Sequence, residues 1–198
     1  MKPCNPILRQ IDYRTELPVF LNREGLLGPG VEVGTYLGDF AKTILGEWKG
    51  RRMISVDPYK AYPKDKYFDS TQNRDQDGVF AEAQANLWPF RERHVFWRME
   101  SLEAAPRFAD GELDWIFLDG NHSFESASAD IAAWWPKIRS GGLFAGHDFY
   151  TRLKDTNSDA LNAVLDLAEA IDTRPHVTWC NSWWYIKPGE YPLMTRNI

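Results

Sequence analysis

Short apolar runs alternate with amphipathic stretches along most of the chain. "GVEVGTY" (30–36), "RMISVDP" (52–58), "HVFWRM" (94–99), "LDWIFLDG" (113–120) and "LFAGHDF" (143–149) are brief and apolar, as strands buried on both faces should be. Between them lie helical stretches at 39–48 and 80–88, and "SLEAAPRF" (101–108) reads as one or two helical turns. A longer helix is predicted from Ser123, a serine suited to capping, to Ile138, stopped by Ser140-Gly141-Gly142. Ala160, Leu161, Val164, Leu165 and Ala168 form one face of a further helix, and 176–189 reads as one or two final strands. Strand and helix in alternation predict an α/β fold with a parallel sheet covered on both faces.

In open sheets of this kind, ligands sit at the carboxyl ends of the strands. The first strand ends in Glu-x-Gly-x-x-x-Gly, with Glu32, Gly34 and Gly38, and the expectation is that bare backbone there admits a ligand closely. A dinucleotide site would carry Gly-x-Gly-x-x-Gly and rest pyrophosphate on the helix amino end. A carboxylate at Glu32 repels pyrophosphate and favours a ligand bearing an ammonium or sulfonium. Asp57 ends the second strand at about the 20-residue spacing expected of an acid that binds a ribose diol. Two acids at adjacent strand ends, with glycines between them, suit S-adenosylmethionine.

Composition narrows the classes. The 198 residues are 43% hydrophobic and 14% aromatic, enough for one globular domain with a proper core. A formal net charge of -5 gives no basic face for nucleic acid, so none is expected as a partner. Cys4 and Cys180 lie far apart and read as two unpaired thiols in a reducing compartment. No apolar run approaches the roughly 20 residues of a membrane span, and the first residues lack the apolar stretch of a secretory signal. The expectation is a cytoplasmic protein with no membrane partner.

"VEVGTYLGDFAKTI", "ISVDPY" and "DWIFLDGNHSFESASADIAAWWPKIRSGGLFAGHDF", in that order, resemble the class I S-adenosylmethionine-dependent methyltransferases, in particular the small-molecule branch labelled methyltransferase family 24. The chain is similar, less closely, to the sugar O-methyltransferases of antibiotic pathways. The resemblance implies a Rossmann-like, mostly parallel seven-stranded sheet in the order 3-2-1-4-5-7-6. It places Glu32, Gly34, Thr35, Tyr36 and Gly38 in the cofactor loop, Asp57 with Pro58 at the ribose, and Glu100 and Ser101 along the adenine. Ser101 reads equally as a plain helix cap. Asp119 and His122 also face the cofactor.

The chemistry concentrates in "LDGNH" and "AGHDF", which bring Asp119, Asn121, His122, His147 and Asp148 to two neighbouring strand ends. Methyl transfer to a hydroxyl needs an acceptor for the hydroxyl proton, and histidine suits that near neutral pH. His122 is the expected base, with His147 as a second base or a metal ligand and Asp119 beside them. The similar sugar enzymes hold a divalent ion on three acids. Here Asp119 and Asp148 match, but His147 replaces the third acid and Asn121 replaces a catalytic carboxylate. The set Asp119, His147 and Asp148 would suit manganese, iron or zinc better than magnesium.

The polar stretch 59–78, with Tyr59, Tyr62 and Tyr67, reads as a lid over the acceptor or as a surface loop. Among nine tryptophans, Trp183 and Trp184 offer stacking for a sugar, although a bulky core accounts for them as well. The first 27 residues read as a helical leader interrupted by Pro18, covering the acceptor pocket or forming a dimer contact. The expected function is O-methylation of a small molecule such as a saccharide. The alternative is an inactive S-adenosylmethionine-binding module. A nucleotide-dependent oxidoreductase is disfavoured by the missing phosphate-binding glycines.

Overall fold

The structure is a computed structural model that describes residues 11–63, 74–149 and 160–189. Its strands are β1 (Gly30–Val33), β2 (Met53–Val56), β3 (His94–Trp97), β4 (Leu113–Leu118), β5 (Ile138–Gly146), β6 (His176–Val177) and β7 (Trp183–Ile186). The helices are α1 (Leu17–Arg23), α2 (Asp39–Glu47), α3 (Gln76–Leu87), α4 (Ser101–Ala104), α5 (Phe124–Trp134) and α6 (Ala160–Ala170). The strands form one seven-stranded sheet in the order 3-2-1-4-5-7-6, as the resemblance implied. β1 to β5 run parallel, while β7 is antiparallel to both β5 and β6.

Burial on both faces explains the unbroken apolar runs. Successive side chains of a strand point to opposite faces. Ile116 and Leu118 of β4 therefore join a cluster with Val31, Val56, Trp134 and Val164, beneath α5 and α6. Trp115 and Phe117 join the opposite cluster with Phe20, Ile44, Leu45 and Trp184, beneath α1 and α2. Trp183 and Trp184 are both buried, so they are core residues and offer no stacking surface. Of the Trp134-Trp135 pair, Trp134 is buried and Trp135 packs edge-on against Phe144.

Several boundaries differ from the sequence reading, each for a local reason. Pro18 lies in the first turn of α1, where its missing N–H costs nothing, so it starts a helix instead of interrupting one. α3 begins at Gln76 because Asp75 caps it, accepting from the Asp77 and Gly78 amides. Ser123 caps α5 as expected, accepting from the Ser126 amide at 3.2 Å. The helix stops at Trp134, two residues before Pro136, and Ser140-Gly141-Gly142 lies inside β5. There the pairing with β4 shifts register between Leu113 and Trp115, and a Cβ on Gly142 would stand 2.8 Å from the Asp114 carbonyl oxygen. Tyr59 is buried, donating its hydroxyl to the Tyr36 carbonyl and packing on Phe80, so it belongs to the core and not to a lid. Tyr67 and Cys4 lie outside the described residues, and Cys180 is a free thiol. Among the described residues, no helix is long and apolar enough to cross a membrane.

Candidate active site

A cleft of about 750 Å³ opens at the carboxyl ends of the parallel strands. Every site residue expected from the sequence lines it except Gly38, which starts α2 at φ +81° and faces the Leu87 side chain. Glycine at 34 serves the chain before it serves any ligand. An added Cβ would stand 2.0 Å from the Asp119 carbonyl oxygen, at a φ of +86°, so β1 and β4 could not end side by side with a side chain there.

Glu32 forms the floor of the cleft and is 1% exposed. Its partner across β2 is Ser55, whose hydroxyl donates to Oε2 at 3.1 Å. Burial pushes its carboxyl up to about 8, against the opposing effect of the Ser55 hydrogen bond. Asp57 accepts three backbone amides, from Thr35 (2.9 Å), Tyr36 (3.0 Å) and Tyr59 (2.8 Å). It thus ties the turn after β1 to the end of β2, with Tyr36 and Tyr59 both held at positive φ. Burial still raises its carboxyl, with those amides opposing.

Farther along, Glu100 accepts the Tyr62 hydroxyl at 2.6 Å and pairs with Lys60. Ser101 is the first residue of α4, and Glu100 holds the cap position. The Ser101 hydroxyl instead donates to Asp130 and accepts from the Trp134 indole at 2.8 Å. Burial pushes Asp130 up to about 6, with the Ser101 bond opposing. The sequence reading missed Asp130, although a carboxylate one position before Ile131 and four before Trp134 breaks the apolar face of α5 and was a usable signal.

The ends of β4 and β5 are in register, Leu118 opposite Gly146, so the next residues of each converge. His122 Nε2 lies 2.9 Å from Asp148 Oδ2 and 3.8 Å from Asp119 Oδ1. His147 Nδ1 lies 3.1 Å from Asp148 Oδ1 and 3.6 Å from Asp119 Oδ1, while its Nε2 is 3.0 Å from the Cys180 carbonyl. A carbonyl can only accept, so His147 carries its proton on Nε2, and its Nδ1 faces two carboxylates comfortably only as an imidazolium or against a cation. Burial opposes the charged form of both histidines, but the hydrogen bond to Asp148 and the Asp119 charge outweigh it and raise both. For Asp148 burial works upward, and the two histidines hold it far below the usual carboxylate range. Its φ of +52° turns the carboxylate back between them.

Arg14, from the segment before α1, reaches into the same place. Its guanidinium donates to Asp119 Oδ2 at 3.2 Å and lies over the Phe40 ring. Nothing in the sequence pattern signalled it, because only the fold brings residue 14 beside residue 119. Asp119, His122 and Asp148 present donor atoms within 4.8 Å of one another, a set that could hold a metal ion. The expected ligand His147 is adjacent, and the compact triad takes His122 in its place.

A family model described as a methyltransferase domain matches residues 31–149. No curated protein matches the chain. Among solved structures, an O-methyltransferase from Bacillus cereus in complex with S-adenosylhomocysteine superposes with a TM-score of 0.60 at 13% identity, covering 93% of this chain and 83% of that one. The O-methyltransferase NovP gives 0.60 at 15% identity over 88% and 78%. A putative rRNA-methylase from Clostridium thermocellum gives 0.60 at 12% identity over 89% and 97%. At these identities the likeness is one of fold.

Proposed function

This chain belongs to the methyltransferase-domain family, as a class I S-adenosylmethionine-dependent methyltransferase, and on that premise we propose that it methylates a hydroxyl of a small polar molecule such as a saccharide. The cleft suits the cofactor: a buried carboxylate at Glu32 lies on its floor, and the rest of it is large enough for a nucleoside. Glu32 would hold the cofactor's ammonium, with Asp57 at the ribose and Ser101 along the base. When bound, the cofactor supplies an activated methyl on sulfur.

The observation that carries the reading is the His122–Asp148 pair at 2.9 Å. Asp148 engages Nε2 of His122, which directs Nδ1 to act as the base. It takes the acceptor's hydroxyl proton as oxygen attacks the methyl carbon, and the imidazolium that forms is stabilised by Asp148 and Asp119. His147, committed at both nitrogens, supplies charge to the site. His122→Ala should lower the turnover rate about 10²- to 10⁴-fold while leaving S-adenosylhomocysteine affinity within about twofold. An unaltered rate would remove His122 from the mechanism. No transfer by the parent protein over a broad panel of hydroxylated acceptors would favour the inactive binding module.

An overall charge of -5 argues against an RNA substrate despite the fold of the rRNA-methylase neighbour. As an alternative use of the same cluster, Asp119, His122 and Asp148 would hold a borderline divalent ion such as manganese or zinc, with His122 then a ligand and not the base. Such an ion would lower the pKa of an acceptor hydroxyl. Binding it would displace Arg14 from Asp119. Dialysis against chelator followed by assay is the test, and fully retained activity dismisses a metal requirement.

A further inference from the structure

Behind Glu32 runs a polar chain that the reading above leaves unused. Ser55, on β2, is fully buried and donates to Glu32 Oε2 at 3.1 Å. On its other side the same hydroxyl oxygen lies 3.0 Å from Nε2 of His94, the first residue of edge strand β3. Three polar side chains thus follow one another across three adjacent strands, from the sheet edge to the floor of the cleft, through a core that is otherwise apolar. Burial holds His94 neutral, its pKa lowered to about 4, so the ring has one N–H. With the cofactor's ammonium beside it Glu32 is ionised and can only accept, and Ser55 has one hydrogen. One arrangement makes both contacts hydrogen bonds: His94 Nε2–H donates to Ser55, and Ser55 donates to Glu32. Polar groups this deep are costly to bury unless fully paired, and chains of such bonds strengthen one another. Apolar side chains would fill β2 and β3 at lower cost, so the chain is best accounted for by what it does to Glu32.

We propose that Ser55 and His94 are positioning residues for the cofactor, fixing the Glu32 carboxylate in orientation and in its ionised form so that it receives the positively charged amino end of S-adenosylmethionine. The inference rests on the proposed cofactor reading and adds two residues that the sequence analysis did not single out. Neither touches the cofactor; both act through Glu32.

The test compares two ligands by calorimetry with the full chain. S-adenosylhomocysteine carries the amino-acid end, and 5′-methylthioadenosine has the same nucleoside without it. The wild type should bind the first more tightly. Ser55→Ala should weaken S-adenosylhomocysteine about tenfold or more, because a carboxylate loses its hydroxyl donor, and leave methylthioadenosine within about twofold. His94→Leu should shift the same ratio in the same direction by less, and His94→Gln, which keeps an N–H, should restore it. If Ser55→Ala does not fold, the two His94 variants at the sheet edge decide. An unchanged ratio in the variants, or a parallel loss of both ligands, overturns the proposal, since loosened packing would weaken both alike. A wild type that binds neither ligand overturns the cofactor reading itself.

Discussion

Glu32 and His94 stand at the two ends of one hydrogen-bonded chain and respond to pH in opposite senses. The Glu32 carboxyl rises from 4.5 to about 8 through burial, so between those values the folded protein keeps a proton that the unfolded chain has released. Its contribution to stability is complete below pH 4.5 and is lost as pH climbs through about 8. His94 falls from 6.5 to about 4, also through burial; its contribution is complete above pH 6.5 and is lost as pH drops through about 4. Urea denaturation of the wild type across this range should therefore show both slopes. Glu32→Gln should flatten the alkaline one and His94→Leu the acid one. Slopes that match the wild type in both variants would mean that the two groups titrate alike in the folded and unfolded states. Bound cofactor should oppose the Glu32 slope, because its ammonium favours the ionised carboxyl.

At the scale of elements, the histidine–aspartate cluster is a product of strand register. Leu118 lies opposite Gly146, so one residue farther along each strand brings Asp119 and His147 together, and the turn at Asp148 carries its carboxylate to His122. Burial works against the charged form of His122, but Asp148 and Asp119 outweigh it and raise the histidine above its ordinary 6.5, so it holds its proton to higher pH than a free imidazole, and that protonated form cannot act as a base. The value of kcat/KM should accordingly climb with pH through a midpoint above 6.5. In Asp148→Asn the midpoint should move to lower pH, because the hydrogen-bonded charge that holds the proton is gone. A rate profile flat from pH 6 to 9, or one unmoved by Asp148→Asn, contradicts the role given to His122.

At the scale of the whole molecule, the sheet separates two apolar faces and, among the described residues, leaves a large cleft at its carboxyl edge. A ligand that binds the folded chain alone stabilises it by about 2.7 kcal/mol at a hundred times its Kd, or about 5–10 °C in Tm for a domain of this size. S-adenosylhomocysteine should produce that rise and NAD should not, because Glu32 can ionise against an ammonium while the turn after β1 lacks the glycine pattern that rests a pyrophosphate on a helix amino end. A rise with NAD alone would reverse the cofactor assignment.

The fold was legible because it depends on local signals. Apolar runs of strand length separated by amphipathic helices leave few topologies besides a parallel sheet, and Glu32, Asp57, Asp119 and His147 follow directly from being at strand ends. The positions where helices stop were less legible, since Pro136 and the strand-internal Gly141-Gly142 carry the same kind of breaker signal and only the pairing of β4 with β5 distinguishes them. What the tertiary structure alone decided is partnership across long sequence distances: Arg14 on Asp119, Ser101 on Asp130, His94 behind Ser55, and the choice of Asp148 as the partner of His122. Side-chain type records what a residue can bond to. Which groups come within bonding distance is set by strand order and register, and those exist only once the chain is folded.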